Sequence, residues 1–153
     1  MTSTMNPFRI VLADRHPSFR HGLRRVLGGN TDIDVIGEAG NSAELINLLN
    51  LSKLAPHLVI LDISMPDFRG MEAFREIKTT HPEVRFLILG MHPDNEYASQ
   101  AISNGADGYI LKRDVDTELF SAIETIRRGS PYVSPLLSEN AGISPGQMFT
   151  KEG

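Results

Sequence analysis

The 153-residue sequence has no cysteine and no tryptophan. Without a thiol there is no disulfide framework, no cysteine nucleophile and no thiolate zinc site, which fits a reducing compartment. Long apolar runs are missing too: none approaches the roughly 20 residues that a bilayer span needs. Met1 to Pro7 also lacks the charged-then-apolar order of a secretory signal, so a cytoplasmic location is expected. Positive charge is in short supply, with 15 Lys and Arg against 19 Asp and Glu, a net charge of −4 and a pI near 5.7. Direct nucleic-acid binding calls for a basic field to neutralise phosphates. Any action on DNA would therefore belong to a segment outside these residues. Glycine-rich phosphate cradles are absent as well, since the first strand is followed by Asp14-Arg15-His16-Pro17-Ser18.

What the sequence does have is alternation. Phe8-Arg9-Ile10-Val11-Leu12-Ala13 predicts a first strand, and Phe19, Leu23, Val26 and Leu27 recur at helical spacing from Pro17 to Leu27. Asp34 to Ala39 predicts a second strand, and Asn41 with Glu44 forms a capping-box pattern ahead of Leu45, Leu48 and Leu49. Leu58-Val59-Ile60-Leu61 is apolar at every position, as expected of a parallel strand covered on both faces. Met71, Phe74 and Ile77 mark a third helix before His81-Pro82, and Phe86 to Leu89 a fourth strand. A fourth helix around Tyr97 to Ile102 closes at Gly105, a fifth strand covers Tyr109 to Leu111, and a last helix carrying Leu119, Ile123 and Ile126 stops at Gly129. Five such units specify a parallel sheet with helices on both faces. Residues 130–153, with Pro131, Pro135 and Pro145 among Ser and Gly, are expected to form a linker or tail.

Ligands gather at the carboxyl ends of the strands in an open parallel sheet. Those ends carry Asp14, Arg15 and His16, then Asp62 to Asp67, then Gly90, Met91 and His92, and finally Lys112. Two carboxylates and a lysine on one edge suit phosphoryl transfer, with Asp62 as nucleophile and Lys112 as a point charge on phosphate oxygens. A structural ion pair is the bland alternative for any one of them. Arg20, His21, Arg24 and Arg25 are either a docking face or a solvated basic face.

Ala13-Asp14, the run from Leu58 through Asp62 and Ser64 to Pro66 with Gly70, and Gly105 through Tyr109 to Lys112 resemble the signature segments of two-component receiver domains. Phe19-Arg20-His21-Gly22-Leu23 and Gly129 to Pro135 are similar to the LuxR-type (NarL-like) regulators, and the similarity covers roughly residues 8 to 137. The resemblance implies a flavodoxin-like (βα)5 doubly wound sheet in the order 2-1-3-4-5. Residues 8–129 would be the receiver, and residues 130–153 would lead toward a C-terminal helix-turn-helix DNA-binding domain absent from this chain. It implies a non-enzymatic signalling module in which Asp62 accepts a phosphoryl group from a sensor histidine kinase. Lys112 would contact the phosphate, and Tyr109 would act as the aromatic switch residue. Mg²⁺ would be held by Asp14, Asp62 and the backbone carbonyl of Ser64, and output would involve a homodimer.

Two residues depart from the family pattern. Arg15 stands where a second acidic metal ligand is usual, and a guanidinium cannot coordinate Mg²⁺. Its side chain is expected to pair with a pocket carboxylate and fill the space of the ion. Gly90 stands where Thr or Ser would donate a hydrogen bond to the phosphoryl group. Together they make a pseudo-receiver, an interaction module with impaired Mg²⁺-dependent phosphorylation, the alternative expectation.

Overall fold

The computed structural model describes residues 6–51, 53–65, 67–91, 95–135 and 137. Strands β1 (Phe8–Ala13), β2 (Ile33–Ala39), β3 (Leu58–Asp62), β4 (Arg85–Gly90), β5 (Gly108–Leu111) and β6 (Tyr132–Val133) alternate with five helices. These are α1 (Pro17–Leu27), α2 (Ser42–Leu49), α3 (Gly70–Thr80), α4 (Asn95–Ser103) and α5 (Val115–Arg127). Every residue of β3 is buried, because both faces of the sheet are covered and no position alternates to solvent. Leu23 and Leu27 of α1 pack with Leu119, Ile123 and Ile126 of α5 on one face. Leu45 and Leu49 of α2, Phe74 and Ile77 of α3 and Ala98 and Ala101 of α4 pack on the other.

Local sequence sets the helix ends. Asn41 caps α2 by accepting from the Glu44 N–H at 2.9 Å, while Glu44 accepts from Gly40 N–H at 2.6 Å. The return bond thus falls one residue before the position a strict capping box would use. Gly105 and Gly129 follow α4 and α5 in the left-handed region, with φ of +108° and +93°, where a side chain would be strained.

The strands run parallel in the order β2-β1-β3-β4-β5-β6, which contains the expected 2-1-3-4-5 and adds one strand. The linker expected from Ser130 onward does not begin there. Tyr132 N–H donates to the Asp107 carbonyl at 3.0 Å and Ser134 N–H to that of Tyr109 at 3.1 Å, pairing β6 with β5. Val133 and Leu137 are buried in the core. A two-residue strand between prolines is too short to show a strand period. Residues 138–153 of the expected tail lie outside the described residues. With all strands parallel, their carboxyl ends form one edge, where the chemistry-bearing residues collect.

Candidate functional site

Asp14 and Asp62 follow or end neighbouring strands, and both are buried, at 1% and 0% exposure. Asp14 accepts from the His16 N–H at 2.8 Å, a turn that carries the chain from β1 into α1. Asp62 is held on one side: the Ser64 N–H and hydroxyl both donate to its Oδ1, at 2.9 and 2.7 Å. Its other oxygen, Oδ2, lies 3.3 Å from Lys112 Nζ. Burial raises the Asp62 pKa, but the Ser64 hydrogen bonds and the Lys112 ammonium outweigh it, and the carboxyl is held below its ordinary value.

Lys112 is the centre of the cluster. Its ammonium stands 2.7 Å from Asp14 Oδ2, 3.3 Å from Asp62 Oδ2 and 3.4 Å from His16 Nδ1, and 4.3 Å from the centroid of the Phe19 ring. Among the described residues Asp14 Oδ2 accepts no well-directed hydrogen bond, so its contact with Lys112 is an ion pair without that added geometry. Phe19, on the first turn of α1, supplies a cation–π face to this lysine. The sequence shows Phe19 only as a helical apolar residue, and nothing there announces the contact.

The expectation for Arg15 is overturned. Arg15 is exposed, with Nε 3.4 Å from His16 Nε2, and among the described residues it forms no ion pair. Asp14 is buried in the pocket, whereas Arg15 lies at the bend that the Asp14–His16 turn makes and is exposed. The cation between the carboxylates is Lys112 instead. Nor is the basic face of α1 wholly free: Arg20 and Arg24 donate to the two oxygens of Glu38 on β2, at 2.8 and 2.7 Å. Arg20 also donates to the Asp14 carbonyl. Pro66 and His92 lie outside the described residues.

Asp14, His16 and Asp62 bring one donor atom each within 4.8 Å of one another. Mg²⁺ is commonly held by one or two carboxylates together with water and phosphate oxygens, so the two buried carboxylates fit it. The Lys112 ammonium shares these two carboxylates, at 2.7 Å from Asp14 Oδ2 and 3.3 Å from Asp62 Oδ2. Farther along the edge, a cavity of about 220 Å³ is lined by Ser64, Gly90, Met91, Tyr97 and Tyr109 among others. Tyr109 is fully buried. A β-carbon added to Gly90 would overlap the Tyr109 hydroxyl and Cζ and stand 2.9 Å from its Cε1.

Comparison with known proteins agrees with this arrangement. Residues 10–124 match the response regulator receiver domain. The chain is 33% identical over 138 residues to the transcriptional regulatory protein DegU of Brevibacillus brevis, covering 88% of this chain and 56% of DegU. It is 39% identical over 127 residues to the transcriptional regulatory protein MctR of Rhizobium johnstonii, covering 82% and 58% respectively. The chain therefore spans a little over half the length of these relatives. Among solved structures, the non-phosphorylated receiver domain of the stress response regulator RcsB from Escherichia coli superposes with a TM-score of 0.77 at 30% identity, over 84% of this chain and 98% of that one. A two-component response regulator of the LuxR family from Aurantimonas superposes with a TM-score of 0.81 at 33% identity, over 90% and 96%. With its sheet order, its buried aspartates and these matches in agreement, the chain belongs to the response-regulator receiver family, in its LuxR-type branch.

Proposed function

We propose that this receiver accepts a phosphoryl group on Asp62 from a phosphohistidine of a sensor kinase and passes the change to a transcriptional output domain. The observation that carries the reading is the buried Asp62 carboxylate, with Oδ1 fixed by Ser64 and Oδ2 turned toward Lys112. Oδ2 attacks phosphorus, an O–P bond forms, the N–P bond breaks, and the electron pair returns to the histidine nitrogen. Lys112 then moves its charge from Oδ2 onto the phosphoryl oxygens. Asp14 and Asp62, with the Ser64 carbonyl, would hold Mg²⁺, which when bound neutralises charge on the transferring group. The module signals rather than turning over a substrate. DNA contact would belong to a C-terminal helix-turn-helix domain, as expected for an acidic chain that spans about half of its relatives. Dimerisation and a cytoplasmic location complete the reading; no described helix is long and apolar enough to cross a membrane.

A second reading is favoured by Arg15, exposed and no metal ligand, and by Gly90, which has no hydroxyl to offer, while the Lys112 ammonium is paired with both carboxylates. In a pseudo-receiver that internal cation would be permanent and the domain would act by interaction alone. Incubation with acetyl phosphate and Mg²⁺, followed by mass spectrometry, separates the two. The first reading expects the gain of one phosphoryl group, lost in Asp62→Asn. No gain would favour the pseudo-receiver, and a gain that persists in Asp62→Asn would move the acceptor elsewhere.

A further inference from the structure

The overlap between Tyr109 and the empty side of Gly90 has a meaning of its own. Ile88 lies opposite Tyr109, and Gly90 opposite Leu111, in the β4–β5 ladder. The two backbones are therefore locked in register. The phenol fills the volume that the side chain of residue 90 would need, and a β-carbon there would force the ring or the end of β4 to shift. Real β-carbons do not approach another heavy atom this closely, so the ring and a β-carbon cannot both hold these positions. The ring is buried in this place, at 1% exposure.

We propose that Gly90 is a standing seat for the Tyr109 phenol, so that this aromatic residue is held inward whether or not Asp62 carries a phosphoryl group. A modification shifts a conformational equilibrium only to the extent that it favours one state over the other. If the inward state is already filled, phosphorylation at Asp62 has little left to shift at Tyr109. The α4–β5 surface of this chain is then preset, and any response to Asp62 must travel by another route, such as Lys112 and Phe19. Only this consequence rests on the proposed function. The seat itself rests on the packing.

The sequence has three tyrosines and no tryptophan, so fluorotyrosine labelling gives three fluorine signals, each assignable by a Tyr→Phe change. In the native chain the Tyr109 signal should be solvent-protected and should stay in place when beryllofluoride and Mg²⁺ are added. In Gly90→Thr it should become solvent-exposed. A native Tyr109 signal that is exposed, or that becomes protected only with beryllofluoride, overturns the proposal, as does a Gly90→Thr chain whose Tyr109 stays protected. A stability cycle guards against a poorly folded variant. Gly90→Ala should lower the folding constant about tenfold or more with Tyr109 present, and far less in a Tyr109→Ala background. Equal losses in the two backgrounds would refute the seat. Bound beryllofluoride has its own fluorine signal, so failure to bind would count against Asp62 as acceptor, while the Gly90 variants would still decide the seat.

Discussion

Lys112 shows how one residue sets the state of the site. Its ammonium is the positive charge that makes two buried carboxylates on adjacent strands tolerable. Removing it leaves Asp14 and Asp62 facing each other with no cation, and breaking a buried ion pair from one side typically costs about 3–5 kcal/mol. Lys112→Met should therefore lower stability by about 3 kcal/mol at neutral pH, read from urea unfolding. Added Mg²⁺ should raise the melting temperature of that variant more than it raises that of the native chain, because the ion then supplies the positive charge that the two carboxylates have lost. An equal response in the two would mean that the ion binds elsewhere. The acidic residues and the lysine were legible in the sequence as the ends of successive strands. Their convergence was legible too, but the missing acid at Arg15 drew attention to the wrong cation between the carboxylates. A substitution reveals which ligand is gone, whereas the direction of the new side chain depends on backbone geometry that spacing does not encode.

At the scale of elements, His57 binds three strands together just before β3. Its N–H donates to the Arg9 carbonyl, its carbonyl accepts from Arg85 N–H, and its ring Nδ1 accepts from Arg9 N–H, at 2.9, 3.0 and 2.9 Å. The ring also stacks on Phe8 with centroids 5.2 Å apart. Accepting at Nδ1 requires the neutral imidazole. Burial lowers the His57 pKa, and the charges of Arg9, Arg127 and Arg85 lower it further. The unfolded chain therefore takes up this proton first, so the contribution is complete above the ordinary histidine value of 6.5 and is lost as pH falls below it. Chemical denaturation from pH 7.5 to 5.5 should show falling stability. His57→Asn, whose side-chain oxygen can accept from Arg9 N–H, should lose part of that slope, and an unchanged slope would place the proton elsewhere. The main strands and helices were readable because fully apolar runs and 3.6-residue spacing are strong signals. Strand β6 was not, since its pairing depends on a partner far away in sequence and on prolines that read as linker.

In the whole molecule, one carboxylate adds to the ladder bonds that fasten the segment after α5 to the domain. Glu118 of α5 accepts from the Tyr132 hydroxyl at 3.0 Å and from the Ser134 hydroxyl at 2.9 Å. Burial and this carboxylate push the Tyr132 pKa up to about 12, so the phenol stays a donor across the physiological range. Glu118→Ala should cost about 1–2 kcal/mol and speed hydrogen exchange at the Tyr132 and Ser134 amides while sparing β3. Exchange rates unchanged at those amides would show that the ladder and the burial of Val133 and Leu137 suffice without it. Because β6 runs parallel to β5, the chain leaves the sheet at the same edge as Asp62 and Lys112, one rung from Tyr109. In mechanical terms, tension on the chain beyond Leu137 would load the hydrogen bond from Ser134 to the Tyr109 carbonyl, the bond from Tyr132 to Asp107 and the two Glu118 contacts, before it reached the central strands. Those few bonds form a fuse, and its release would strip β5 of its outer neighbour while the rest of the sheet stayed intact.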